Sequence, residues 1–155
     1  MHVSARVDYA MRALLELTVA AQERPGTLVK GDALSSAQHI PPKFLEGILR
    51  QLRGAGIVAS QRGADGGYRL ARPAESVTVA DVVRVLDGPL AEIRGDRPES
   101  AVYAGPAERL QDVWVATRAA LRGVLDHVTL ADIASGDLPP VVADYTAHPE
   151  AWSPR

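Results

Sequence analysis

Between residues 43 and 72 the chain groups side chains that can bind phosphate oxygens and read the edges of bases. Lys43, Glu46, Arg50 and Arg53 recur at three- and four-residue intervals, the spacing that gathers side chains along one helical face. Arg62 follows, just ahead of the tip Gly63-Ala64-Asp65-Gly66-Gly67. Lys43 suits guanine O6/N7 or a phosphate, and Glu46 can accept from cytosine N4. Arg50 and Arg53 are expected on phosphates, which position a protein without reading sequence. Arg62 carries the most weight, because a guanidinium in a narrow minor groove gains from the focused negative potential there. Gly63, Gly66 and Gly67 would let the tip lie against phosphates. Gly47 removes one base contact from the outward face and weakens its helix by about 1 kcal/mol relative to alanine. Each cation would serve equally well on a solvated face, so the grouping alone leaves both readings open.

These groups need a helix followed by a hairpin, and the neighbouring residues supply both. Leu45, Ile48, Leu49 and Leu52 give the segment an inward stripe, and Pro41-Pro42 opens it, since proline is tolerated in a first turn. Residues 31–38 predict a shorter preceding helix with Ala33, Leu34 and Ala37 on its core side, and His39-Ile40 is the tight turn between the two. His39 and Pro42 are thereby placed beside the same interface. Ile57–Gln61 and Tyr68–Arg72 read as strands joined by a glycine-rich tip, and Pro73 stops the second. Upstream, Val7, Met11, Leu14, Leu15 and Thr18 predict a helix over 5–21 with Ser4 as its cap. Downstream, Thr78 with Asp81 makes a capping box for a helix ending at Leu86. Helix, turn, helix, hairpin is the order of parts in a winged helix-turn-helix: the fold class is mainly α with a small β-hairpin wing, plus a long C-terminal helix.

That last helix is expected from about Ala107 to Val128, with Leu110, Val113, Trp114, Thr117, Leu121, Val124, Leu125 and Val128 close to an a/d pattern. Periodicity does not say whether this stripe packs internally or against a second chain. Thr129 and Asp132 cap a short helix, residues 88–106 read as a linker, and the proline-rich residues 137–155 are expected to form a flexible tail. The domains are therefore predicted as 1–87, 88–106, 107–136 and 137–155.

The 155 residues carry a net charge of −2, which alone argues against nucleic acid. Its distribution argues the other way. Residues 40–72 hold six Lys/Arg against two Asp/Glu, whereas 73–155 hold seven against thirteen. The positive charge is thus concentrated around the hairpin. The sequence has no cysteine, which excludes disulfides and thiolate metal sites. No run of about 20 apolar residues is present, and the N-terminus lacks the regions of a signal peptide, so a cytoplasmic protein with no membrane contact is expected. No nucleophile–base pairing is visible, and no Gly-Lys-Ser/Thr follows the glycine tip, so an enzyme is not expected.

In order and spacing, several stretches resemble the Rrf2 family of bacterial transcription regulators. They are Ala5–Leu14, Phe44–Leu49, Leu52–Val58, Arg62–Tyr68, Val79–Val83, Trp114 and Thr129–Ile133, spanning roughly residues 1–136. The resemblance implies a homodimer joined through the long C-terminal helix, binding a pseudo-palindromic operator in double-stranded DNA as a repressor. Many family members hold an iron–sulfur cluster on three cysteines before that helix, with five residues between successive ligands. Counting back from Trp114, those places fall on Asp96, Val102 and Glu108, and Gln111 stands where some relatives have a histidine ligand. Asp8 matches an acidic ligand of some relatives, but without thiolates it is expected in a helix-surface ion pair. No metal and no cofactor are expected. An effector, whether a small molecule or a protein, would find its place between Leu90–Tyr103 and Trp114. The rival reading is a winged-helix interaction module, controlled by a partner protein, that has lost direct DNA readout.

Overall fold

The computed structural model describes residues 2–154. Helix α1 (Ala5–Glu23) starts where the Ser4 hydroxyl accepts from the Val7 amide at 3.2 Å, satisfying one of the four free N–H groups of a helix start. It buries Val7, Ala10, Ala13, Leu14, Leu17 and Thr18. The buried Thr18 hydroxyl donates to the Leu14 carbonyl at 2.8 Å, so the polar group is satisfied in place. Met11 and Leu15, expected on the same stripe, pack at its edge.

Helix α2 (Gly31–Gln38) buries Leu34 and Ser35, while Ala33 and Ala37 face outward, contrary to the sequence expectation. The reason is Ser35: its hydroxyl donates to the Ile40 carbonyl at 2.5 Å, which lets a polar residue take the inner position and ties the turn shut. His39 ends α2 in the left-handed conformation, φ 53°. Helix α3 (Pro42–Gly54) then begins with Pro42 at its first position and buries Leu45, Ile48, Leu49 and Leu52 against α1, α2 and α4. Burying each such side chain contributes about 1.5–3 kcal/mol, ample to hold an eight-residue and a thirteen-residue helix together.

Strands β1 (Val58–Gln61) and β2 (Gly67–Leu70) pair antiparallel, with Val58 opposite Leu70 and Gln61 opposite Gly67. The sequence reading missed a third piece. Val29, in the loop between α1 and α2, exchanges both backbone hydrogen bonds with Tyr68 at 2.8 Å. The wing is thereby fastened to that loop as well as to its own partner strand.

Helix α4 (Val79–Leu86) and helix α6 (Leu130–Ser135) each open with a capping box, Thr78 with Asp81 and Thr129 with Asp132. A cap of this kind contributes about 1 kcal/mol. The two starts lie side by side: Thr78 and Thr129 form an antiparallel bridge, Val79 N–H donates to the Val128 carbonyl at 2.9 Å, and Leu130 N–H to the Val77 carbonyl at 3.0 Å. Helix α6 consequently packs on α1, and Leu130 is fully buried in the same core as α1, α3 and α4. The break expected at residue 87 does not separate the core, because the chain returns to it at Val128.

Helix α5 (Leu110–Leu125) is shorter than expected, and none of its residues is buried. Residues 137–155, expected as a flexible tail, contain helix α7 (Pro140–Thr146), which touches α5. Pro140 at the first helical position explains the start, since its missing N–H costs nothing there. The Trp152 indole N–H donates to the Thr146 carbonyl at 2.8 Å and closes that end.

Candidate nucleic-acid interface

The outer face of α3 and the wing form the two walls of a groove of about 690 Å³. Glu46, Arg50 and Arg53 come from α3, Arg62, Gly63, Gly66 and Gly67 from the wing, and Leu49 and Tyr68 from the floor between them. Four cations therefore meet one carboxylate, because Lys30, the residue before α2, joins Arg50, Arg53 and Arg62. Lys30 was missed in the sequence. Its signal was its place immediately before a helix start, where free N–H groups and the helix dipole already favour anions.

The side chains along this groove are held with differing firmness. Arg50 pairs with Glu46 at 3.2 Å one turn earlier, both more than two-thirds exposed, so this pair contributes about 0–1 kcal/mol and yields easily to a phosphate. Arg53 donates to the Ser60 hydroxyl at 3.1 Å and so bridges α3 to β1. Arg62 is exposed, with no hydrogen bond or ion pair among the described residues.

Lys43 stands between Glu46 and Gly47 on the outward face of α3, and together with Gly47 it borders the adjoining flank. There they edge a shallow depression with Arg6, Phe44, Ile48 and Gln51, where Arg6 donates to the Gln51 amide oxygen. Gly47 has open space beyond its Cα and opens directly onto this depression. Phe44 is 48% exposed and stands edge-on to Tyr9, with ring centroids 5.9 Å apart. Pro42 lies with Lys43 and Glu46 along the start of α3, and His39 is exposed at the turn before it. The structure thus brings Glu46, Arg50, Arg53, Arg62 and the wing glycines together, with Lys43 beside Glu46 at the edge of the groove and Gly47 on the adjoining flank.

Two wing glycines are required by the fold itself. A Cβ on Gly66 would lie 2.2 Å from the Gln61 carbonyl oxygen, and one on Gly67 would lie 2.7 Å from that of Val29. Gly63 alone of the three has open space around it, with φ 107°. Gly66→Ala is expected to reshape the wing and weaken DNA binding several-fold or more. Amide hydrogen exchange across 58–70 checks the cause, and unchanged exchange together with unchanged binding would contradict it.

Elsewhere, Asp8 pairs with Arg12 on the surface of α1, as expected. Arg12 also stacks 4.8 Å from the Tyr9 ring centroid and donates to the Gln38 carbonyl at 3.1 Å. Among the candidate dimerisation residues, Val128 lies beyond the end of α5 and is buried in the protomer's own core, while Leu125 packs against that core from the helix end. Both leave the exposed stripe, because the chain turns inward there to form the Thr78–Thr129 bridge. Leu110, Val113, Trp114, Thr117, Leu121 and Val124 stay on the outer side of α5, with Val113 53% and Trp114 37% exposed.

The Rrf2 family model, described as an iron-dependent transcriptional regulator, matches residues 3–136. The chain belongs to the Rrf2 family. It is a DNA-binding transcription regulator with a winged-helix fold, not an enzyme. A Mycobacterium tuberculosis protein provisionally named an HTH-type transcriptional regulator is 50% identical over 155 residues, covering 95% of this chain and 92% of the relative. CymR of Bacillus subtilis is 33% identical over 135 residues, covering 87% and 91%. The solved structure of CymR, the global cysteine regulator of B. subtilis, superimposes with a TM-score of 0.72 at 31% identity, over 88% of this chain and 98% of that one. IscR of T. potens gives 0.69 at 30% identity, over 88% of each. No described helix is long and apolar enough to cross a membrane.

The family description raises iron, and this chain's donors do not fit a thiolate-held cluster. The sequence has no cysteine. Of the counterpart positions, Val102 offers no donor atom, and the Gln111 side-chain amide is engaged, donating to the Glu99 carbonyl at 2.9 Å. Among the described residues no three His, Asp or Glu side chains gather to hold a metal ion.

Proposed function

We propose that this Rrf2-family protein is a cytoplasmic, homodimeric repressor that works without an iron–sulfur cluster and binds a pseudo-palindromic operator. The observation that carries the reading is the groove where Lys30, Arg50, Arg53 and Arg62 converge between α3 and the wing. In this reading α3 enters the major groove, with Lys43 and Glu46 toward base edges and His39 and Pro42 close to the backbone at its start. Arg50, Arg53 and Lys30 take phosphates, and Arg62 follows the wing into the minor groove. Gly47 leaves a gap opposite the bases, so the operator differs from those read by relatives with a longer side chain there.

A dimer is supported by α5, a sixteen-residue helix with no buried residue and an apolar outer side. Two-fold symmetry sets the recognition helices about 34 Å apart, or a multiple of it. The donor set of the 96–111 region supports the cluster-free part of the reading. Footprinting on the protein's own promoter region tests the whole. Protection of two half-sites about 10 base pairs apart, or a multiple, is expected at low salt, and affinity should fall steeply as salt rises. Absence of protection at low salt would instead favour a winged-helix interaction module.

A further inference from the structure

We propose that an arginine-lined groove between α4, the 88–106 connection and α5 is a binding site for a small oxyanion ligand carrying at least two negative charges. This deepens the regulatory reading above and rests on it for its consequence, though not for its chemistry. The groove measures about 450 Å³, within the range of about 300–1,000 Å³ that small-molecule sites occupy. Arg84 comes from α4, Arg97 from the connection, and Arg118 and Arg122, one turn apart, from α5. Pro89, Leu90 and Ala91 form its apolar side. Trp114, expected to line an effector site, is not part of it, because it sits on the outer side of α5.

The charge balance is what points to an anion. Asp126 braces two of the arginines, accepting from Arg84 at 2.7 Å and from Arg122 at 3.0 Å. Partial burial pushes the Asp126 carboxyl up, but the hydrogen bonds from Arg122 and Arg84 outweigh it and hold it below the usual aspartate range. Glu99 pairs with Arg118 at 2.5 Å. Asp81 lies 4.0 Å from Arg84, yet it is shared with Arg72 at 3.6 Å on the far side. Arg97 has no ion pair among the described residues. Four guanidinium groups thus face the two carboxylates of Glu99 and Asp126, leaving the groove with a charge of +2.

Glu99 marks where the ligand's oxygens belong. It sits on the short turn Pro98–Ser100 with its carboxylate exposed, so it can swing into water while the more covered Arg118 stays in place. A dianion can displace it from Arg118 and engage Arg97 at the same time, using the planar donor forks that match carboxylate and phosphate oxygens. Asp126 meanwhile keeps Arg84 and Arg122 aimed. An occupied groove would clamp α4, which packs on α3, to α5. Occupancy would therefore bias the position of the reading helix relative to the long helix.

Calorimetry on the full chain tests this, with inorganic phosphate and citrate titrated separately at constant chloride ionic strength. At least one is expected to bind once per chain with a Kd of 1 mM or tighter, on the order of small-ligand affinities. Phosphate alone identifies a phosphate-ester site, and citrate alone a polycarboxylate site. Arg97→Gln and Arg118→Gln are each expected to weaken binding about tenfold, equivalent to about 1.4 kcal/mol. Arg97→Gln breaks no ion pair, so its melting temperature should match that of the parent. If neither anion binds, or if both substitutions leave the Kd unchanged, the site is overturned. Arg62→Ala should bind the anion as the parent does. If the parent binds the anion but no operator, the regulatory reading fails while the site stands.

Discussion

In the proposed homodimer, Leu121→Glu is expected to separate the two protomers and to lower operator affinity by about two orders of magnitude or more, the range that bivalent engagement supplies. In α5, Leu110, Val113, Thr117, Leu121 and Val124 lie within one sector of the helix, and Val113 is more than half exposed. The neighbouring sector, with Gln111, Arg118 and Arg122, faces the 88–106 connection. The helix is therefore fixed to its own protomer by one side and has the other free for a second copy. An unpaired carboxylate at the centre of that apolar face loses hydration without gaining a partner, a penalty of several kcal/mol in a closed interface. A monomer would engage one half-site at a time. Native mass spectrometry with a gel shift at matched concentration checks both effects. A variant that stays dimeric would remove α5 as the interface.

Arg62→Ala is expected to cost about 1–3 kcal/mol of operator binding, a loss of about 5- to 150-fold, and to reduce the salt slope by about one. Its melting temperature should stay within about 2 °C of the parent, because exposed substitutions away from special features change stability by about 0.5 kcal/mol or less. The side chain is exposed and makes no hydrogen bond or ion pair among the described residues, so the fold loses nothing with it. Equal operator affinity for variant and parent would refute the wing assignment. A matching loss for every DNA sequence would move Arg62 from the minor groove to the phosphates.

The winged-helix order was legible because its parts have local causes. Ser4, Pro42, Thr78 and Thr129 each begin a helix by chemistry confined to a few residues, and the structure places starts where they indicate. What was not legible depends on partners distant in sequence. Val29 carries no strand pattern, because it pairs at a single position with a strand about forty residues away. Ser35 looks like a surface residue until Ile40 presents a carbonyl to it. Val128 fits the heptad pattern of α5 and yet belongs to the core, since periodicity continues past the point where the helix stops. In the sequence the wing glycines fit an approach to phosphates but do not reveal the protein's own backbone, which leaves no room for a side chain at 66 and 67. The arginine groove was invisible because its four residues are spread over three elements.

The hydrogen-bonded stitch between residues 77–79 and 128–130 makes α5 a lever. Its fulcrum is the C-terminal end, bonded to the start of α4, while the other end rests on the short Pro98–Ser100 turn through the hydrogen bond from Gln111 to the Glu99 carbonyl. A helix of sixteen residues is about 24 Å long, so a tilt of about 10° at the fulcrum sweeps the far end through about 4 Å. Two such levers crossed against each other would turn a small displacement beside Arg118 into a change in the distance between two reading heads.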